Sequence, residues 1–196
     1  MLDELGEFNK RVLSEYYFEK NSQHIVMPGF FNGNFILFIG QNPGLLKEKV
    51  EGDMMYIEGF NKKDLKLLEV AYEKALRNKA GTVGTFIIDI YGEDWNSISF
   101  TNVIKTPFNN NKINMENPNF HLRILKKQIE LLKPKHIITV GFLAKKALQF
   151  LNIKTSLNLP HPSWLHRKGI YDKKILEYKE LIDKFKEKNI KQMTLK

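Results

Sequence analysis

The run Phe35-Ile36-Leu37-Phe38-Ile39 leads through Gly40 into Gln41-Asn42-Pro43-Gly44 and restricts the fold more than any other stretch. Its apolar residues follow one another without alternation. A strand of that kind is buried on both faces, the condition of a strand inside a parallel sheet. Gly, Asn and Pro then force a tight turn at its C-terminal end. Open α/β sheets place their ligands at that end. Gln41 and Asn42 therefore stand where a small-molecule pocket needs polar groups of fixed direction.

The rest of the chain supplies partners for such a strand. Helical spacing covers Leu2 to Lys20, with Leu5, Phe8, Val12, Leu13, Tyr16 and Tyr17 on one face, and Asn61 to Lys79, with Asp64 or Asn61 as its cap. An apolar and aromatic patch lies between them at Met54 to Phe60. Around Phe86-Ile87-Ile88 the pattern allows either a strand or a helical turn. Glu93 and Asp94, the paired carboxylates of an apolar neighbourhood, read as surface or capping groups. Ser97 to Lys105 reads as a second strand and ends in Thr106-Pro107. Phe120 to Leu132 is a basic amphipathic helix, stopped by Pro134. His136 to Val140 is a third strand, and Gly141 turns it into a helix from Phe142 to Leu151. A short fourth strand, Lys154 to Leu159, delivers the chain to Pro160-His161-Pro162-Ser163-Trp164-Leu165-His166-Arg167-Lys168-Gly169, whose opening Pro-His-Pro-Ser reads as a turn. A last helix spans Tyr171 to Lys191, with Leu176, Leu181 and Ile182 inward. Strand and helix alternate, so the expected fold class is α/β: a central, mostly parallel, four-stranded sheet with helices on both faces, in one domain over residues 1–196.

Composition narrows the chemistry. The chain carries 31 Lys and Arg against 22 Asp and Glu, a formal net charge of +9, which favours a polyanionic partner. It has no cysteine, so disulfides, thiol catalysis and Cys-ligated metal or iron–sulfur sites are excluded. No apolar run approaches the roughly 18 residues of a membrane span. The expected setting is cytoplasmic. No Gly-x-Gly-x-x-Gly or phosphate-loop signature follows any strand, which disfavours an ordinary nucleotide-binding enzyme.

Three polar turns stand at strand ends: Gln41-Asn42, Asn102 to Pro107, and His161-Pro162-Ser163. In a parallel sheet these ends share one edge, so the three turns can converge. Together they resemble the uracil-DNA glycosylase superfamily. Gly40-Gln41-Asn42-Pro43-Gly44 is similar to the first motif in its mismatch-specific and single-strand-selective families. Thr101-Asn102-Val103-Ile104-Lys105 resembles a stretch of the thermostable iron–sulfur families. His161-Pro162-Ser163 with Leu165 is similar to the second motif, and Leu131 to Pro134 into Ile137 to Gly141, with Ala144, fits the segment between. Two departures are plain: Thr106 stands where those families carry a cysteine, and Asn42 replaces the Asp of the fast uracil-specific enzymes.

The resemblance implies a monofunctional, monomeric DNA glycosylase that hydrolyses the N-glycosidic bond of a flipped-out deaminated base, uracil before others, in base excision repair. Asn42 would hold the attacking water and His161 would donate a hydrogen bond to the base O2, where charge develops. Gln41 and Asn102 would bind the base, Asn102 through its Watson–Crick edge, with Tyr56 or Phe60 stacking on it. Leu165 would wedge into the vacated stack. Ser163, His166, Arg167 and Lys168 would meet phosphates. No cofactor and no metal is required. Other glycosylase substrates (mismatched thymine, hypoxanthine, xanthine) stay open, as does a catalytically silent DNA-binding protein on the same fold.

Overall fold

A computed structural model gives the fold. It describes residues 2–20, 29–41, 64, 66–68, 70–71, 74, 82–92, 97–105 and 118–194, with the side chains of 14–20, 82 and 188–194 excepted. The elements in chain order are α1 (Leu2–Lys20), β1 (Phe30–Phe31), β2 (Ile36–Gly40), α2 (Thr82–Tyr91), β3 (Ile98–Asn102), α3 (Pro118–Leu132), β4 (His136–Val140), α4 (Phe142–Phe150), β5 (Leu157–Leu159), α5 (Pro162–Arg167) and α6 (Tyr171–Thr194).

Among the described residues the sheet has five strands in the order β1-β3-β2-β4-β5, one more than the sequence pattern announces. β2 is central and parallel to both neighbours: Ile39 is level with Thr101 on one side and Thr139 on the other. β5 extends the parallel set, with Val140 opposite Leu159. The extra strand, β1, runs antiparallel to β3 and is two residues long. Gly29 leads into it at φ +124°, so close to β3 that a Cβ would lie 2.5 Å from the Phe100 carbonyl oxygen. So short a strand, fixed by a long-range approach, leaves no periodic trace.

Both faces of the sheet are covered, as the unbroken apolar run requires. Ile36, Phe38, Ile98, Phe100, Ile138 and Val140 share one core with α2, α5 and α6, where Phe86, Ile87, Ile90, Leu165 and Ile182 are buried. Leu37, Ile39 and Ile137 point the other way, into a core closed by Leu5 of α1, Leu125, Ile129 and Leu132 of α3, and Ala144, Ala147 and Leu148 of α4. Period-two alternation of side-chain direction thus builds a three-layer α/β/α sandwich from one apolar strand.

Several local expectations are met and some are corrected. Asp64 is the cap of the helix that contains Leu68 and Ala71: its carboxylate accepts from Leu67 N at 3.1 Å. The ambiguous Phe86-Ile87-Ile88 run belongs to helix α2. In α6, Ile182 is buried, but Leu176 is 66% and Leu181 37% exposed. The two leucines were expected inward; a helix lying on one flank of a sheet buries a narrower stripe than they occupy. The segment after His161, expected as a turn, is the short helix α5, with Pro162 at its first position, where a missing N–H costs no hydrogen bond.

Candidate functional site

The strand order sets the place of the site. From β2 the chain moves outward to β3, then crosses back to β4 on the other side and continues outward to β5. Connections diverge at the β2–β4 boundary. The crevice outside the C-terminal ends of those two strands is the topological switch point, where doubly wound sheets bind ligands. Gly40 ends β2 there and Gly141 follows β4.

On the β2 side, Asn102 is level with Gly40 across the β2–β3 pair. Its side chain leans over that glycine: a Cβ on Gly40 would lie 2.5 Å from Asn102 Oδ1 and 3.1 Å from the Phe100 ring. Gly40 is therefore required by close approach, and it fixes the direction of the amide at the edge of the crevice. The chain beyond β3 is stitched to β2 by Val103 N to the Gly40 carbonyl and Ile104 N to the Gln41 carbonyl, both 3.0 Å. Gln41 is half-buried at the lip.

Beneath Asn102 lies a group that sequence reasoning did not assign. Lys105 is fully buried, and its ammonium nitrogen donates to Thr101 Oγ1 (2.6 Å), the Asn102 carbonyl (2.6 Å) and Gln128 Oε1 (2.7 Å). Gln128 of α3 in turn donates to Asn9 of α1 at 2.9 Å. Three neutral acceptors match the three N–H bonds of an ammonium, while burial pushes its pKa well below the ordinary lysine value. The network clamps the end of β3 to α3 and, through it, to α1. A lysine closing the mainly apolar segment Ser97 to Lys105 is the available sign of it.

On the β4 side, Gly141 takes φ +96°, and a Cβ there would lie 3.6 Å from His161 Cβ. Gly141 N donates to the Leu159 carbonyl at 2.8 Å, which brings the residue after β4 against the chain leaving β5. His161 caps α5: its Nδ1 accepts from Ser163 N at 3.3 Å. A ring nitrogen that accepts carries no proton, so the neutral ring carries its proton on Nε2. Burial lowers the His161 pKa below the ordinary value, and the nearby Arg167 cation lowers it further. The ring is thus a neutral imidazole at pH 7, with an Nε2–H donor.

The wedge assignment needs correction. Leu165 is 0% exposed and belongs to the core beneath α5. Because α5 is helical, Pro162 and Leu165 fall on one buried face, three residues apart, and Trp164, 42% exposed, takes the outward position. A side chain packed in the core cannot enter a base stack without leaving that core. Ser163 is half-buried, and Arg167 and Lys168 are exposed beyond it. His166 is exposed at its edge, but its ring stacks on Tyr171, centroids 3.9 Å apart. Tyr171 is itself held by its hydroxyl to Asp89 at 2.7 Å. Asn42, Tyr56, Phe60, Glu93 and Asp94 lie outside the described residues.

Among the described residues, no three His, Asp or Glu side chains are grouped to hold a metal ion, and no helix is long and apolar enough to cross a membrane. The fold and the site define a doubly wound α/β protein with an amide and a neutral imidazole flanking a switch-point crevice. A family model, the Uracil DNA glycosylase superfamily, matches residues 28–186, and the chain belongs to that superfamily, whose members act on DNA. No curated protein matches the sequence.

Proposed function

We propose that this chain is a monofunctional DNA glycosylase that removes a deaminated base, uracil first, in base excision repair. The observation that carries the reading is the placing of His161: its Nδ1 accepts from Ser163 N and its ring lies against Gly141, at the end of β4. Breaking an N-glycosidic bond leaves a negative charge on the base and a positive one on the sugar. His161, neutral and with its proton on Nε2, is a donor for the base O2 as charge develops there. It sits at the switch-point crevice, with Asn102 at the other wall.

Asn102 offers an acceptor and a donor, the complement of the N3–H and O4 edge of uracil; cytosine presents the reverse order. Its exposure of 3% leaves only an edge of the amide for a base to touch. Asn42, next to Gln41, would hold the attacking water through its amide oxygen. A neutral amide gives the sugar cation less stabilisation than a carboxylate, so more of the barrier reduction falls to His161. Gln41 would line the base pocket, and Tyr56 or Phe60 would stack on the base. Ser163, Arg167 and Lys168 would contact phosphates. The protein would act as a monomer, without a cofactor, where the chromosome is.

Oligonucleotides carrying uracil, G-mismatched thymine, hypoxanthine or xanthine, single- and double-stranded, give the test through alkali-labile abasic sites. His161→Ala should lower cleavage by about 100-fold or more, the order of losing one donor to a developing anion, with DNA binding retained. An undiminished rate would remove His161 from the chemistry. If no lesion is cleaved while DNA is bound, the chain is a silent DNA-binding member of the superfamily.

A further inference from the structure

The rim on the His161 side carries a repeated arrangement that base hydrolysis does not need. α4 begins at the end of β4 with Phe142, 74% exposed, followed on the same helical face by Lys145 and Lys146, three and four residues on. α5 begins just past β5 and exposes Trp164, followed at the same two intervals by Arg167 and Lys168. All four cations are exposed, and Lys146 Nζ lies 5.4 Å over the Phe142 ring. The two helix starts meet where Gly141 faces His161. Between Leu131 and Tyr171 the sequence has no Asp or Glu and seven Lys or Arg. The rim thus pairs each outward aromatic ring with two cations, in a stretch where nothing repels a phosphate.

We infer that Phe142 and Trp164 form a stacking platform for unpaired DNA, one base on each ring, with Lys145, Lys146, Arg167 and Lys168 on the phosphates between. Rings with cations at this spacing suit single strands, because the base faces of an intact duplex are already stacked. A protein that only gripped duplex phosphates would gain nothing from exposed aromatics. The burial of Leu165 fits: α5 gives up the leucine to the core and presents the larger, flatter Trp164. The inference rests on the glycosylase reading for the role of the platform, which is to hold the strand around the damaged base. The binding itself is testable without it.

Labelled oligo-dT and a duplex of equal length, both free of damage, decide the matter by fluorescence anisotropy. Phe142→Ala and Trp164→Ala should each weaken single-strand binding by about 10-fold, within the range of one lost base–aromatic stack, and change duplex binding less than about 2-fold. Both side chains are exposed, so neither change should unfold the protein, and circular dichroism checks this. Lys146→Ala should weaken both ligands and flatten the salt dependence of each. Equal losses on duplex and single strand, or no loss, would overturn the platform. So would anionic phosphatidylglycerol vesicles that bind through Trp164 while oligo-dT does not. His161→Ala separates the two readings: cleavage lost with single-strand binding intact keeps both, and a protein that cleaves no lesion yet loses oligo-dT in the aromatic variants keeps the platform alone.

Discussion

The two walls of the crevice are built on opposite plans. On the β2–β3 side the described residues are closely packed. Asn102 is packed over Gly40, the backbone of residues 103–104 is bonded to β2, and Lys105 locks the strand end from below. On the β4–β5 side helices begin just past the strand ends, and Phe142, Trp164, Arg167 and Lys168 are exposed on them. Under the proposed function the first wall tells one small base from another and gains from rigidity, since a misplaced amide loses its selectivity. A wall that meets a polymer gains from open, cationic, sequence-tolerant surface. His161 stands at the seam, buried enough to stay neutral and held by its own helix cap.

The largest effects are expected at the closed wall. Gly40→Ala puts a methyl 2.5 Å from Asn102 Oδ1 and should turn the amide away. A drop of about 100-fold in kcat/KM for uracil is expected, of the size that small misplacements of a positioning group produce. Lesion assays with the folded variant check it, and unchanged kinetics would show that Asn102 does not read the base.

Lys105→Met removes a donor from three buried acceptors and should destabilise by about 2–4 kcal/mol, from the cost of leaving such groups unpaired, measured by urea unfolding. The same pair has a pH signature. The folded-state pKa of Lys105 lies below its ordinary 10.5, so between the two values the unfolded chain binds more protons. The stability of the wild type relative to Lys105→Met should therefore grow as pH rises toward 10.5. A flat difference would mean that burial does not penalise the charged form.

At the open wall the effects should be smaller. Gly141 sits at φ +96° with its would-be Cβ in ordinary contact range of His161, so Gly141→Ala should cost about 1 kcal/mol from backbone strain alone. Thermal unfolding measures this; no loss would show that the turn relaxes. Smallest is Arg167→Gln. Burial first and the Arg167 cation second depress the His161 pKa; the proposed role needs the neutral ring, so activity should be lost as pH falls through the folded value. Removing the cation should let that value rise toward 6.5 and move the acid limb of the pH–rate profile to higher pH. An unmoved limb would detach His161 from the profile.

Much of the scaffold is legible from local pattern because its causes are local. His136 to Val140 is a strand with the bounds read from sequence, since the β-branched run Ile137 to Val140 between Pro134 and Gly141 has few other solutions. Asp64 caps its helix because capping needs only neighbouring backbone. What escaped is what depends on distant partners. β1 exists only against β3. The proline turn at 160–163 reads as a loop, yet Pro162 opens a helix, and that helix rotates Leu165 into the core and Trp164 out. One-residue differences of that kind cannot be seen without knowing which side of α5 the sheet is on.

The sequence alone determined the layered α/β plan, the sheet edge on which polar turns gather, and the motifs that mark the superfamily, because apolar runs, glycines and prolines act through the covalent chain. The tertiary structure set which groups share a crevice: Asn102 over Gly40, His161 beside Gly141, and a buried lysine beneath. Those arrangements arise from contacts between residues far apart in the chain, such as Lys105 with Gln128 and Gly40 with Asn102, and no local propensity encodes them.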